Sequence, residues 1–323
     1  MEASAAKIQV KVLVLDADQA AAEQVRAFCE THDLVPVKVP ADNLMPVLRS
    51  SIDLGAVFLA EGFESHTLSG MRLAQELNRI RPELPIFLRT AAPHTLSESE
   101  RRFVRHAYHL GELAGMSEAV QESLFCLVYP ESLVRGISDL TLQALSGQFK
   151  EISVVAEAPM IVRDRLIYGE VYSLIPLEAN WCRGYMMLQV EERSLRRLQM
   201  HQLGDMDPVH KDSIRAINNV FSETTNLIWG AFKNRFIAYD DTALAKMTQV
   251  PIVINHPQRY ISFGSEDPQL CFRYHIWDNL LQQGEPIELH QRFVFNLNWS
   301  PELFRENQAN VDSMLASGEL ELF

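Results

Sequence analysis

The sequence contains little cysteine and no cysteine pair at a spacing typical of a metal or redox site. Its 323 residues include only four cysteines, Cys29, Cys126, Cys182 and Cys271. Each lies in an apolar context, so we predict buried free thiols of a protein from a reducing compartment. The histidine pairs 106/109 and 201/210 have no third ligand at a defined spacing, and we expect no metal site of the protein's own.

Positive charge and long apolar runs are also scarce. Lysine and arginine number 29 against 42 acidic residues, which gives a net charge of −13. Such a surface repels phosphate backbones and anionic lipid, so we expect no nucleic-acid or membrane partner. No run approaches the ~20 apolar residues of a membrane span, and the N-terminus lacks a signal-peptide pattern. These absences predict a cytoplasmic protein.

The common nucleotide and hydrolase motifs are missing as well. The sequence has no G-x-x-x-x-G-K-[ST], no G-x-G-x-x-G and no G-x-S-x-G. What it has is the composition of an ordinary globular protein, 47% hydrophobic and 22% charged, with a length sufficient for two domains. We place the boundary at the Pro130 interruption, which gives domains 1–129 and 130–323 without a flexible linker.

Residues 1–129 alternate apolar runs with amphipathic segments. Strands are predicted over 11–15, 34–39, 56–60 and 84–88, and helices over 18–30, 43–50 and 69–80. This alternation predicts an α/β domain with a parallel sheet covered on both faces. Residues 97–114 and 117–128 are more helical than strand-like, which leaves the fourth and fifth units undefined.

This domain resembles the response-regulator receiver family over about 125 residues, on the segments VLVLDADQ and PIFLRTA. The resemblance implies a flavodoxin-like fold and places Asp16 at the first acid of the family's pair and Thr90 at its Thr-Ala step. Ala17 stands where the second acid belongs, and residues 58–60 offer no phosphoacceptor aspartate. We interpret Glu61 as a surface acid of the next loop rather than a mimic of phosphoaspartate. The domain is therefore expected to be a receiver-like scaffold that is not phosphorylated and serves interaction or oligomerisation.

Residues 130–323 predict an α+β domain with an antiparallel sheet. A helix over 132–148 precedes strands over 152–156, 160–162, 168–176 and 183–190, of which the last two form a hairpin. A short helix over 194–199 and a long helix over 212–236 follow. Final strands are predicted over 270–277 and 287–297.

The long helix has an apolar face and a short polar row. The face expected to be buried consists of Ile214, Ile217, Val220, Phe221, Ile228, Ala231 and Phe232. Opposite it, at i, i+4, i+7 and i+11, lie Asn219, Glu223, Asn226 and Gly230. Taken alone, such a row is ordinarily a solvated helix face.

In its context the row resembles that of the CheC/CheX/FliY family of chemotaxis phosphatases, and most closely CheX. The resemblance covers about residues 132–297 and rests on element order, on a proline-led strand PIVINHP, and on two motifs. These motifs are I-x-L-x6-G, with Ile175, Leu177 and Gly184, and E-x-x-N-x-x-x-G-x-x-K, with Glu223, Asn226, Gly230 and Lys233. The first helix lacks an E-x-x-N, so a single site is expected, as in CheX.

The resemblance implies hydrolysis of the aspartyl phosphate of a partner CheY-like response regulator. Glu223 would form a salt bridge with the partner's lysine, and Asn226 would orient the attacking water. Asn219, where the family often has Asp or Ser, and Gly230 would contact the partner, whose own Mg²⁺ is used. The resemblance also suggests a homodimer formed through strand pairing. Two alternatives remain: a catalytically inactive adaptor that binds receiver-type partners, and a receiver-like domain that caps the site.

Overall fold

The structure is a computed structural model, and it describes residues 7–51, 53–65, 68–200, 214–237, 250–257, 261, 267–279 and 285–307. The predicted histidine pair 201/210 and the first two residues of the predicted long helix lie outside these ranges. None of the helices in these ranges is long and apolar enough to cross a bilayer.

The first half of the chain is built around a five-stranded parallel sheet. The strands and helices of this half are β1 (Val10–Leu15), α1 (Gln19–Thr31), β2 (Leu34–Lys38), α2 (Leu44–Ser50), β3 (Leu54–Ala60), β4 (Glu64–Ser65), β5 (Leu68–Ser69), α3 (Gly70–Ile80), β6 (Ile86–Arg89), β7 (His106–Tyr108) and α4 (Met116–Leu124). The short strands β4 and β5 pair with each other outside the main sheet. The strand order is β2-β1-β3-β6-β7, the doubly wound order of flavodoxin-like folds. Every residue of β3 is buried, as expected for a parallel strand covered on both faces. The predicted receiver-like fold is confirmed.

The helical prediction for residues 97–114 is wrong. The segment contains 3₁₀ turns at Glu100–Arg102 and Leu110–Gly115, and between them β7 forms the fifth strand of the sheet. Tyr108 ends β7 and is buried, and Thr90 N donates a 2.8 Å hydrogen bond to its carbonyl. A three-residue strand carries too little alternation to be separated from helical spacing, so pairing with β6 decides its conformation.

The second half forms the predicted α+β domain. Its elements are α5 (Glu131–Gln148), β8 (Ile152–Ala156), β9 (Met160–Val162), β10 (Val171–Glu178), β11 (Cys182–Val190), α6 (Glu192–Gln199), α7 (Ile214–Phe236), β12 (Ile252–Asn255), β13 (Gln269–Asp278) and β14 (Ile287–Trp299). The antiparallel sheet has the order β12-β10-β11-β14-β13-β8, and β9 also pairs with β13. Helices α5 and α7 pack together, and side chains from both helices and from the sheet share one core.

Gly184, the glycine of the first motif, is required by the sheet. It pairs with Leu177 across the β10–β11 hairpin. A Cβ added to Gly184 would lie 1.6 Å from the carbonyl oxygen of Val294 on the neighbouring strand β14. No side chain fits there without displacing backbone, so this glycine is explained by strand packing.

The two sheets meet at β9. Gln9, just before β1, donates a 2.9 Å backbone hydrogen bond to Pro159 and accepts one of 2.8 Å from Ile161. One continuous cluster of buried apolar residues includes members of both halves. Pro130 immediately precedes α5, and the domain boundary at this proline stays a prediction.

Ion pairs also join the two halves. Asp53 accepts from Lys11 of β1 and from Arg273 Nη2 of β13, the latter at 2.7 Å. Burial by itself would raise the pKa of Asp53, but Lys11 and Arg273 outweigh it and hold that pKa below its usual value. At the same end of the parallel sheet, Arg81 Nη2 lies 3.1 Å from the Asp164 carboxylate. These contacts hold the two halves in one arrangement.

Three of the four cysteines, Cys29, Cys182 and Cys271, are buried free thiols, as predicted. Burial raises the pKa of Cys29 to about 12, which keeps it protonated. The prediction is wrong for Cys126, which is exposed because it lies in the irregular connection between α4 and α5 rather than in either core.

Candidate functional site

Helix α7 is anchored through most of the apolar face predicted for it. Ile217, Val220, Phe221, Ile228 and Phe232 are buried, together with Trp229 and Phe236. Two members of the predicted face differ: Ile214 is exposed, and Ala231 is only half-buried. Ile214 is the first described residue of α7, and Ala231 lies at the edge of the face.

The rotation of α7 is fixed by buried hydroxyl groups that the sequence analysis did not single out. Thr225 Oγ1 donates to the Phe221 carbonyl at 2.8 Å and lies 2.7 Å from Ser173 Oγ of β10. Both hydroxyl groups are fully buried. Thr225 lies at the spacing of Phe221, Ile228 and Phe232, so the periodicity of the apolar face was the signal that could have revealed it. This contact to the sheet directs the opposite side of the helix outward.

That outward side carries the predicted polar row. Asn219, Glu223 and Asn226 are all exposed. Side chains three or four positions apart on a helix are neighbours, with Cβ atoms about 5–6 Å apart, so the carboxylate of Glu223 and the carboxamide of Asn226 share one patch. Gly230 is half-buried, and a Cβ added there would meet nothing within 4 Å. Unlike Gly184, Gly230 is not required by internal packing. Because it has no side chain, nothing protrudes from the helix at this position next to Asn226.

The C-terminal end of α7 is held by the segment that follows β14. Arg235 Nε donates to Glu306 at 2.5 Å, and Asn307 Nδ2 donates to the carbonyls of Asn234 and Ile237. Trp181 Nε1 donates to the Phe236 carbonyl at 3.0 Å. The polar row is therefore presented on a helix fixed along its length rather than on a loop, which favours a precisely placed surface.

At the predicted receiver positions, the structure brings Asp16 together with an arginine. Arg89 Nε and Nη2 each donate to the Asp16 carboxylate at 2.7 Å, and the Asp16 side chain is buried. The hydrogen bond with Asp16 raises the pKa of Arg89 above its usual value. Arg89 was not singled out, although an arginine directly after the strand predicted over 84–88 and before Thr90 was the available signal. Both carboxylate oxygens of Asp16 are bound by a guanidinium.

The other positions that correspond to the acids of a receiver site hold no second carboxylate beside Asp16 and Arg89. Ala17 is exposed, and Ala60 ends β3 as a buried apolar residue. Thr90 is buried, and its hydroxyl donates to the Ala92 carbonyl at 2.7 Å. Glu61 is exposed, and its carboxylate accepts a long contact, 3.4 Å, from Ala91 N. Among the residues that the structure describes, no group of three His, Cys, Asp or Glu side chains could hold a metal ion.

No protein-family model matches the sequence, and comparison with curated proteins finds no match. Solved structures similar to the chain fall into two groups. The first includes a putative chemotaxis protein from Desulfovibrio vulgaris Hildenborough, at 17% identity and a TM-score of 0.38 over 51% of this chain and 97% of the other. It also includes the chemotaxis protein CheX from Vibrio vulnificus, at 16% identity and a TM-score of 0.36 over 50% and 99%.

The second group consists of receiver domains, which match the N-terminal part of the chain. A CheY-like response regulator receiver domain protein from Methanospirillum hungatei is 12% identical, with a TM-score of 0.30 over 36% of this chain and 94% of the other. The chain thus resembles CheX- and CheC-like proteins over about half its length and receivers over about a third. At these identities and scores the likenesses assign no activity and no residue role.

Proposed function

We propose that this protein is a signalling phosphatase that hydrolyses the aspartyl phosphate of a separate, CheY-like response regulator. The observation that supports it is the outer side of α7, where Glu223 and Asn226 are exposed side by side on a helix whose opposite face is buried. The assignment to chemotaxis follows from the family resemblance of the sequence.

In this proposal Asn226 supplies the catalytic group. Its carboxamide has both a donor and an acceptor and carries no charge, so it can orient water toward a phosphoryl group without repelling the phosphoryl oxygens. Phosphoryl transfer depends mainly on positioning and charge stabilisation, and a fixed helix provides the first of these. The Mg²⁺ that neutralises developing charge belongs to the partner receiver, and the chain uses no cofactor of its own.

Glu223 has a docking role in this proposal. A carboxylate one turn before Asn226 is suited to pair with a lysine of the partner receiver, and the open space at Gly230 lets a partner loop approach the helix. Asn219 extends the same contact by one turn. The chain's own receiver-like domain is not the substrate, because Arg89 binds its remaining acid, Asp16, and Ala60 ends the third strand.

The test is phosphate release from each phosphorylated receiver of the source organism, with this protein at catalytic concentration. Glu223→Ala and Asn226→Ala are expected to abolish turnover of the cognate receiver without loss of folding. A matched control is Asp139→Ala with Gln143→Ala, which removes an exposed acid and an exposed amide from neighbouring helix α5. Full activity in the Glu223/Asn226 double variant would refute the proposal. Tight binding of a phosphorylated receiver without turnover would favour the adaptor instead.

We further propose that the chain is a homodimer formed by pairing of edge strands in the antiparallel sheet. The candidate edge is β8, which pairs with β13 on one side at the end of the strand order. Val155 on β8 is exposed and has no charge, a feature that an unprotected edge shares with strand interfaces, and Trp277 of the adjoining strand β13 is exposed beside β8. Light scattering should give twice the chain mass for the wild type and the monomer mass for Val155→Lys. A monomeric wild type would exclude this assembly.

A further inference from the structure

A cleft with a cavity volume of about 290 Å³ lies where the N-terminal edge of the parallel sheet meets the second half of the chain. Its walls include the start of β6, the 3₁₀ turn at Glu100–Arg102, α4 and Arg163 of the second half. Four arginines and two glutamates contribute to it: Arg101, Arg102, Arg105, Arg163, Glu83 and Glu122. The cleft is positive in a protein whose net charge is −13.

Two of these arginines converge on one residue from opposite sides of the domain junction. Arg105 Nε donates to the Ser123 hydroxyl at 3.0 Å, and Arg163 Nη2 donates to the Ser123 carbonyl at 2.7 Å. Both guanidinium groups therefore lie within contact of the same short stretch of α4. Two like charges held together in this way repel one another, and an anion between them would relieve that repulsion.

The protein's own carboxylates compensate this charge only in part. Glu83 forms its ion pair with Arg81, a neighbouring buried arginine, rather than with the arginines of the cleft. Burial lowers the pKa of Arg163; Cys126 and the carboxylate of Asp267 oppose this, and the charge of Arg105 adds to it, so that the pKa stays below its usual value. The charged form of Arg163 thus lies in surroundings that favour an additional negative charge.

The chemistry of the cleft selects among anions. A carboxylate presents two oxygens in one plane and is saturated by one bidentate guanidinium, whereas a phosphoryl group presents enough oxygens for two. Leu84, Pro85 and Phe103 add an apolar portion to the wall. The volume is at the lower end of the range for ligand sites, about 300–1,000 Å³, which fits a small phosphorylated metabolite rather than a protein segment or a dinucleotide.

We propose that this junction cleft binds a small phosphorylated anion, with Arg105 and Arg163 holding the phosphoryl group between the two halves of the chain. The site is separate from the polar row of α7 and does not depend on the phosphatase function. Because one arginine comes from each half, the bound anion stabilises the contact between the two halves.

Calorimetric titration of the full-length chain with sodium pyrophosphate tests this proposal, with sodium chloride at equal ionic strength as the reference. Arg105→Gln is the primary variant because its side chain is exposed and the change spares the buried core. Arg26→Gln, an exposed arginine on α1, is the matched control. We expect saturable binding in wild type and control and roughly tenfold or greater weakening in Arg105→Gln, since a charge-assisted pair is lost.

A thermal-denaturation series provides the second measurement. Pyrophosphate should raise the midpoint of wild type and of Arg26→Gln and leave that of Arg105→Gln nearly unchanged, because only the bound state is stabilised. Absence of saturable binding in the wild type would overturn the proposal. Equal affinity in Arg105→Gln and Arg26→Gln would overturn it too, since the charge effect would then be general rather than local.

Discussion

His290 makes the free energy of unfolding depend on pH in a calculable way. Its side chain is 2% exposed on β14, and its ring centroid lies 4.2 Å from that of Tyr168. Burial lowers the pKa of His290 to about 4; the carboxylate of Glu288, 3.6 Å from His290 Nε2, opposes this, and the charges of Arg273 and Arg292 add to it. The folded protein therefore keeps this imidazole neutral at pH values where the unfolded chain protonates it.

The sign and size of the effect follow from this difference. The unfolded pKa is 6.5 and the folded value about 4, so between these values the unfolded state binds more protons and stability falls as the pH falls. The stabilisation is fully present above pH 6.5. At 1.36 kcal/mol per pH unit, about 3 kcal/mol is lost by pH 4.

The assay is urea denaturation at several pH values between 4 and 7. His290→Gln removes the buried imidazole, so the stability of this variant should fall by about 3 kcal/mol less than that of the wild type between pH 7 and pH 4. His94→Gln, at an exposed histidine, should follow the wild type. Carboxylates that do not contact the substituted histidines titrate alike in all three proteins and cancel in the comparison. Glu288 does not cancel, because His290 holds the pKa of Glu288 below its usual value, so the comparison measures His290 together with its effect on Glu288. Parallel wild-type and His290→Gln curves would refute the argument that burial keeps this histidine neutral.

Three further outcomes are expected from the fold and the receiver-like site. Gly184→Ala should destabilise the protein by several kcal/mol in urea denaturation, on the order of an overpacked core, because its Cβ would collide with the Val294 carbonyl; a loss under about 0.5 kcal/mol would contradict this packing. Thr225→Val and Ser173→Ala should each cost about 1 kcal/mol, and their double-mutant cycle should give a coupling energy above about 0.5 kcal/mol if the 2.7 Å contact fixes α7. Incubation with acetyl phosphate and Mg²⁺ should leave the chain unphosphorylated, since a guanidinium binds Asp16; a stable acyl phosphate would contradict this.

The sequence predicts secondary structure correctly where burial gives a segment a regular pattern of apolar residues. It does not do so where the conformation of a short segment depends on pairing with another strand. The strands of the parallel sheet are continuous apolar runs, and β3 is recognisable because both of its faces are covered. By contrast, β7 has three residues, and its neighbours in the chain have helical spacing. Only its pairing with β6, through residues distant in the sequence, makes it a strand.

The candidate site shows the same division. The spacing of Glu223 and Asn226 placed them on one side of a helix, and their exposure agrees with that placement. The spacing of Thr225 from Phe221 and Ile228 indicates that it is buried, but nothing in the sequence indicates that Ser173 lies opposite it. The Asp16–Arg89 pair joins the ends of two strands 73 positions apart, a contact that a spacing argument cannot supply. The role of the polar row stays a prediction.

The most direct test of the proposed function is the rate at which a phosphorylated cognate receiver loses its phosphoryl group in the presence of Asn226→Ala. The measurement requires a partner that the wild type turns over and equal binding of wild type and variant to that partner. The account predicts a rate lowered by roughly 100-fold, toward the receiver's own rate, because the water-positioning carboxamide is gone. A variant that binds equally well and hydrolyses at the wild-type rate would contradict it.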